Sequence, residues 1–248
     1  MDIQAYLRRI NYEGSIEPSL ETLRGLQRAH MLAVPFENLD IPLRRPIVLD
    51  EGLLFDKIVR RRRGGFCYEL NGLFSALLRD LGFDVQRLSA RVSDGDGGFG
   101  IEFDHMTLLV QLDEPYLADV GFGDSFLEPL RLNVREAQVQ ERGSYLLREE
   151  GVHMTYLQLE EDAWKLQYLF RMQPYALSDF AQSCVYHQTS PESSFTQRRV
   201  CSIATPEGRI TLSNMKLIVT KNGSKEERIV ESEDEYNVLL RERFGVVL

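Results

Sequence analysis

RRRGGFCYELNGLFSALLRDLG, residues 61–82, contains the clearest helix in the chain, and the reading of the fold starts there. Leu70, Leu73, Phe74, Leu77, Leu78 and Leu81 recur at spacings of three and four, which puts them on one helical face, and Gly82 stops the run. Cys67 falls in the first turn. Unpaired N–H groups and the helix dipole favour negative charge there, so a thiol at this position is a candidate nucleophile. Gly64 and Gly65 permit a tight turn into the helix and leave room beside its backbone.

Upstream the pattern stays helical. Asp2 is positioned to cap a short helix through Ile3, Tyr6, Leu7 and Ile10, and Ser19 opens another through Leu20, Leu23, Leu26 and Met31. Residues 34–50, VPFENLDIPLRRPIVLD, hold three prolines and no helical period, which predicts an extended loop. Asp50 then caps a helix bearing Leu53, Leu54, Ile58 and Val59. Downstream of Gly82 the period shortens to that of strands. VQRLSARV (85–92), a Gly- and Asp-rich loop (93–100), DHMTLLVQL (104–112), a turn at Asp113–Pro115 and YLADVGFG (116–123) read as a hairpin series. The apolar runs SYLLRE, MTYLQLE and AWKLQYLF between polar turns fit a meander or small barrel. Turn signals at Pro206-Glu207-Gly208 and Asn222-Gly223 predict two more hairpins. Ser232 and Glu235 announce a terminal helix with Val238, Leu239 and Phe244 facing inward. The fold class expected is α+β: a helical part over 1–84, a β part over 85–190 and a smaller α/β part over 191–248.

Composition narrows the function. A net charge of -9 is unsuited to general nucleic-acid binding, which needs clustered Lys and Arg. The one dense basic run, Arg60 to Arg63, reads as a solvated helix end or as charge gathered for an anionic cofactor. No run approaches the roughly 20 apolar residues that span a bilayer. The first residues lack the apolar core and cleavage site of a signal peptide. A cytoplasmic protein with neither membrane nor nucleic-acid partner is expected. The three cysteines, Cys67, Cys184 and Cys201, show no metal spacing and read as free thiols, with no metal site. Cys184 and Cys201 read as small core residues.

A thiolate nucleophile needs a base. Of the four histidines, His30, His105, His153 and His187, His105 opens a predicted strand whose hairpin partner ends in Asp119. The even separation of the two residues lets an antiparallel register put them on the same face. An aspartate accepting the imidazole N–H fixes its tautomer and favours the imidazolium, which favours the thiolate. Asp119 also lies in the apolar run ADVGF, where a carboxylate requires a partner. Cys67, His105 and Asp119 therefore read as nucleophile, base and orienting group.

RGGFCYELN at Arg63–Asn71 resembles the RGGxCxELN signature of arylamine N-acetyltransferases. VPFENLDI, HMTLLV, YLADVGFG, DFAQSCVYHQTSPESSFT and the terminal LLRERFG resemble further blocks of that family in its order. The resemblance implies a helical bundle, a β-barrel and an α/β lid around a thiol-protease-like core. It implies ping-pong transfer of acetyl from acetyl-CoA through a Cys67 thioester to an arylamine, arylhydrazine or arylhydroxylamine, with His105 moving the proton. It further implies a substrate slot lined by Phe36, Phe122 and Phe195, and contact of Gly121 and Gly123 with the pantetheine arm of coenzyme A. Glu37, Arg63 and Glu69 match positions that look structural, as a buried ion network. No Walker-type phosphate loop is present. The alternatives are an amide synthase of the same family acting on a carrier-bound acyl chain, a thiol hydrolase or transglutaminase-like enzyme, and an acyl- or aromatic-binding module without activity.

Overall fold

A computed structural model describes residues 1–248. Its centre is the helix Cys67–Asp80. Leu70, Leu73, Phe74, Leu77 and Leu78 are wholly buried, each contributing roughly 1.5–3 kcal/mol by leaving water. Helices Ile3–Arg9, Leu20–Ala33 and Glu51–Phe55 precede it in the chain. Their starts are capped as the sequence predicts: Asp2 accepts from the Ala5 N–H, Ser19 from Thr22, and Asp50 from Gly52 and Leu53. The third helix widens into a π-helical turn at Asp56–Arg60. Its buried stripe is Leu54, Phe55, Ile58 and Val59, and Leu53, one residue off that stripe, faces solvent.

Eight antiparallel strands form the larger sheet. From one edge to the other they are Leu130–Arg131, Pro115–Ala118, His105–Gln111, Asp84–Val92, Ala163–Tyr175, His153–Glu160, Gly143–Glu150 and Gln138–Gln140. The sheet curls until its edges almost meet, as a nearly closed barrel, and side-chain amides bridge the seam. Gln138 accepts from the Arg131 N–H at 2.8 Å and donates to its carbonyl at 2.9 Å; Gln140 does the same to Glu128 at 3.1 and 2.7 Å. The edge strands, which would otherwise present unpaired backbone groups, are thereby satisfied. Tyr145, Tyr156, Tyr168, Phe126 and Phe170 fill the barrel's core.

The second sheet runs Phe36–Glu37, Val200–Thr205, Gly208–Ser213, Lys216–Lys221 and Ser224–Ile229. Both anticipated turns are present. Pro206-Glu207 joins Thr205 to Gly208, and Asn222-Gly223, with φ of 49° and 80°, makes the tight turn between Lys221 and Ser224. A third turn at Asn214-Met215, with Asn214 at φ 48°, carries no glycine and escaped the sequence reading. The terminal helix Glu233–Phe244 packs Tyr236, Leu239, Leu240 and Phe244 on this sheet. Val238, expected inside, is 43% exposed because it falls on the side of the helix opposite those positions.

His30 is spent on the core of the helical part. Its Nδ1 lies 2.8 Å from the Tyr6 hydroxyl, and burial, reinforced by the nearby Arg9 guanidinium, pushes it down to about 3. The unfolded chain takes up this proton below about pH 6.5 and the folded chain does not until about pH 3, so stability is lost as pH falls through that window. The loss is on the order of 1 kcal/mol per pH unit. Thermal unfolding of His30→Gln between pH 6.5 and 4.5 is expected to show a shallower acid dependence than wild type; parallel curves would refute the assignment.

Candidate active site

Cys67 is the first residue of its helix and is almost wholly buried. Two glycines precede it, and the structure gives their reason. A Cβ on Gly64 would stand 2.0 Å from the Pro35 carbonyl oxygen, and one on Gly65 2.7 Å from Glu69 Cβ. The space beside these glycines is therefore filled by protein, with the Glu37 N–H donating to the Gly65 carbonyl at 2.9 Å. The Phe66 N–H donates to Glu69 Oε2 at 3.1 Å, closing the first turn. The ion network that holds this loop is larger than the sequence suggested. Arg63 binds Glu37 at 2.8 Å and Asp40 at 3.1 Å, while Lys57 binds Asp40 and Glu69 at 2.7 Å each. Burial pushes the Glu69 carboxyl up to about 7 despite Lys57. Asp40 and Lys57 were missed because a pair separated by loop and helix leaves no periodic signal.

The hairpin of His105–Gln111 and Pro115–Ala118 pairs Leu108 with Ala118. Continued past that last rung, the register sets His105 diagonally across from Asp119 on one face. His105 Nε2 lies 2.6 Å from Asp119 Oδ2. Asp119 has no solvent exposure. It accepts in addition from Asn71 at 2.8 Å, the Gly121 N–H at 2.9 Å and the Tyr168 hydroxyl at 3.1 Å. Burial opposes its charge, but His105 and these donors outweigh burial and hold the carboxyl below its ordinary 3.8. Asn71, one helical turn after Cys67, was recoverable from its i, i+4 spacing. Tyr168 was not, since it arrives from a distant strand.

Cys67, His105, Phe36, Phe122, Phe195, Gly121 and Gly123 all line one cavity of about 520 Å³, with Asp119 behind His105. Phe122 stands edge-on to His105 at 5.2 Å, and Phe195 packs against Phe36 and Phe66 at 6.1 and 5.7 Å. Gly123, at φ 87°, borders open space. Gly121 does not: a Cβ there would lie 2.8 Å from Cys67 Cα and 2.7 Å from Asn71 Nδ2. Of the basic run, Arg60 and Arg61 approach Asp56 at 3.9 and 2.9 Å and Arg63 turns inward, so none faces the cavity. The cations that do are Arg198, Arg209 and Lys225.

A helix start alone does not make this thiol acidic. Burial pushes Cys67 up, the carboxylates of Asp104 and Asp119 add to that, and a hydrogen bond from the Met106 backbone opposes it only in part. The group placed to offset this is the His105–Asp119 pair on the same cavity. Such an arrangement is chemically competent for thiol-based acyl transfer. No group of three or more His, Cys, Asp or Glu side chains is gathered as a metal site would need, and no helix is long and apolar enough to cross a membrane.

The family model described as N-acetyltransferase matches residues 19–248. The chain is 36% identical, over 98% of its length and 88% of the relative's, to the arylamine N-acetyltransferase / N-hydroxyarylamine O-acetyltransferase of Salmonella typhimurium. It superposes on a crystal structure of the Mycobacterium smegmatis arylamine N-acetyltransferase with a TM-score of 0.94 at 35% identity, covering 100% of this chain and 93% of that one. With the Mycobacterium marinum arylamine N-acetyltransferase solved in complex with CoA, the TM-score is 0.92 at 33% identity, over 98% and 92% of the two chains. Sequence and fold together place it among acyl-transferring enzymes. The chain belongs to the arylamine N-acetyltransferase family.

Two outcomes follow from the site's geometry. Alkylation of Cys67 by iodoacetamide in wild type is expected to stay fast well below the free-thiol value of about 8.5. In Asp119→Asn the profile is expected to move above that value, because burial then acts unopposed; superimposable profiles would place the activation elsewhere. Gly121→Ala pushes the turn against Cys67, so self-acylation is expected to fall by up to about 10²-fold with any donor. A loss confined to coenzyme A thioesters, with small phenyl esters unaffected, would assign Gly121 to pantetheine contact instead.

Proposed function

We propose that the protein transfers acetyl from acetyl-CoA to aromatic amines by a ping-pong route through Cys67. The observation that carries this reading is the His105–Asp119 pair bordering the same cavity as Cys67, in a chain of this family. The Cys67 sulfur attacks the thioester carbonyl, the bond to the coenzyme A sulfur breaks, and the leaving thiolate takes the proton from His105. First-turn N–H groups of the Cys67 helix are the donors this reading assigns to the oxyanion. An arylamine, arylhydrazine or arylhydroxylamine then attacks the acetyl-enzyme. The Cys67 sulfur leaves, and the amine's proton passes to His105 to restore the pair.

Phe36, Phe122 and Phe195 offer the apolar slot such an acceptor requires. Gly123, at open space, suits the pantetheine arm, and Arg198, Arg209 and Lys225 supply the charge that phosphates require. The solved CoA complex of a relative supports acetyl-CoA as donor. A cavity of about 520 Å³ suits small ligands better than a carrier-bound chain. We read the chain as three parts, residues 1–84, 85–190 and 191–248, with bundle, barrel and lid meeting at this cavity. Three buried free thiols fit a reducing, cytoplasmic setting.

Incubation with acetyl-CoA followed by intact-mass measurement is expected to show one acetyl adduct, absent in Cys67→Ala and discharged by an added arylamine. A wild-type protein that takes up no acetyl group, or one whose adduct is lost to water as fast as to amine, would overturn the proposal.

A further inference from the structure

A second carboxylate–imidazole pair borders the cavity, and the proposed mechanism does not use it. Asp104 precedes His105, and its Oδ1 lies 3.0 Å from His187 Nε2. His187 is buried, and its Nδ1 lies 3.0 Å from the Ser193 hydroxyl. Its ring stands edge-on to Phe195 at 5.3 Å and tilted against Tyr68 at 6.0 Å. Asp104 is close to the nucleophile: its backbone carbonyl lies 4.0 Å from Cys67 Sγ, and its carboxylate, like that of Asp119, disfavours a negative charge on that thiol. Both Asp104 and His187 line the cavity between Cys67 and Phe195.

The pairing leaves spare capacity. A carboxylate offers about four lone-pair sites. Here His187 sits against one oxygen and the Val92 N–H, at 3.2 Å, donates to the other. His187 Nδ1 is taken by Ser193, while Nε2 lies against Asp104 Oδ1 in a close contact without hydrogen-bond geometry, so the imidazole packs the carboxylate in place from that side. A plain aniline in the slot presents no donor beyond its attacking nitrogen. An acceptor with an N–H or O–H one atom further along, such as an arylhydrazine or an N-hydroxyarylamine, brings one.

We propose that Asp104, positioned by His187, is a recognition spot for acceptors that carry a hydrogen-bond donor adjacent to the attacking nitrogen. This rests on the acetyl-transfer reading above and deepens it. A largely enclosed carboxylate with a free lone pair gains a hydrogen bond from the ligand that carries the donor and none from the ligand that lacks it.

The test is the ratio of kcat/KM for phenylhydrazine to that for aniline, both with acetyl-CoA. Comparing the ratio between enzymes cancels the intrinsic nucleophilicity of the two acceptors. In Asp104→Ala the ratio is expected to fall about tenfold from its wild-type value. In Asp104→Asn, which keeps the shape should the alanine variant fail to fold, a smaller fall in the same direction is expected. His187→Leu is expected to lower the ratio as well, His187→Gln to restore part of it, and the Asp104→Ala/His187→Leu double variant to show no further fall. A wild-type ratio retained in Asp104→Ala and Asp104→Asn, or both acceptors losing rate in parallel, would overturn the recognition role. Failure of the acetyl-transfer reading itself shows separately, as absence of the acetyl adduct on wild-type enzyme.

Discussion

The carboxylate of Asp119 has no contact with water, and an ionised carboxylate in such a place is tolerated only when its lone pairs are taken. The four donors that take them come from across the chain: Asn71 on the central helix, His105 at the start of its strand, Tyr168 on the long barrel strand, and the Gly121 N–H of the following turn. None of these is supplied by a neighbour in sequence except Gly121. The helical part, the hairpin and the barrel wall must therefore dock before the charge is satisfied. That requirement couples the site to the fold: the helix bearing Cys67 and the strand bearing His105 are fixed relative to each other by the same carboxylate. Asn71 also donates to the Met106 carbonyl at 2.6 Å and accepts from the Val120 N–H at 2.9 Å, which sews the helix to both strands at that point.

A second constraint fixes the loop that enters the helix. Arg9 reaches no carboxylate; its guanidinium donates to four carbonyls, those of Ala33, Ile58, Arg62 and Arg63. Ala33 ends one helical segment and Ile58 lies in the last turn of another, so the cation meets the negative ends of two helix dipoles while satisfying groups a helix leaves unpaired. Burial still pushes Arg9 down, to about 10. On the far side of the same loop, Arg63 and Lys57 bridge Glu37, Asp40 and Glu69. The glycines before Cys67 then allow the backbone of residues 35–37 to lie against the loop. The position of Cys67 is thus set by charge on one side and by close backbone packing on the other.

This division explains what was legible in the sequence. The helix 67–80, the caps at Asp2, Ser19 and Asp50 and the Asn-Gly hairpin depend on residues within a few positions of one another, and local chemistry announces them. The juxtaposition of His105 and Asp119 was readable for the same reason, since one short hairpin controls it. Tyr168, Lys57 and the Asp104–His187 pair depend on which elements lie side by side, and the pattern of a single element does not carry that. Val238 shows a subtler limit. It is as apolar as its neighbours, but the side of a helix that faces a sheet is set by the sheet, which selected Tyr236, Leu240 and Phe244. The recognisable RGGFCYELN block named the family sooner than any of these contacts did.

The three cysteines show why the environment, and not the thiol, decides reactivity. All are buried, and burial pushes all three up, Cys184 to about 12. Cys184 rests against the Ile47 carbonyl and the Gln188 amide, and Cys201 lies in the core under the terminal helix. Neither borders the cavity, whereas Cys67 shares it with His105. Burial pushes the Cys67 thiol up as it does the other two, and what distinguishes Cys67 is the His105–Asp119 pair bordering the same cavity. On the acetyl-transfer reading proposed above, the reactivity of Cys67 rests on that pair. Burial opposes the charge on Asp119, so it is His105 and the donors gathered with it around the carboxylate that keep it ionised.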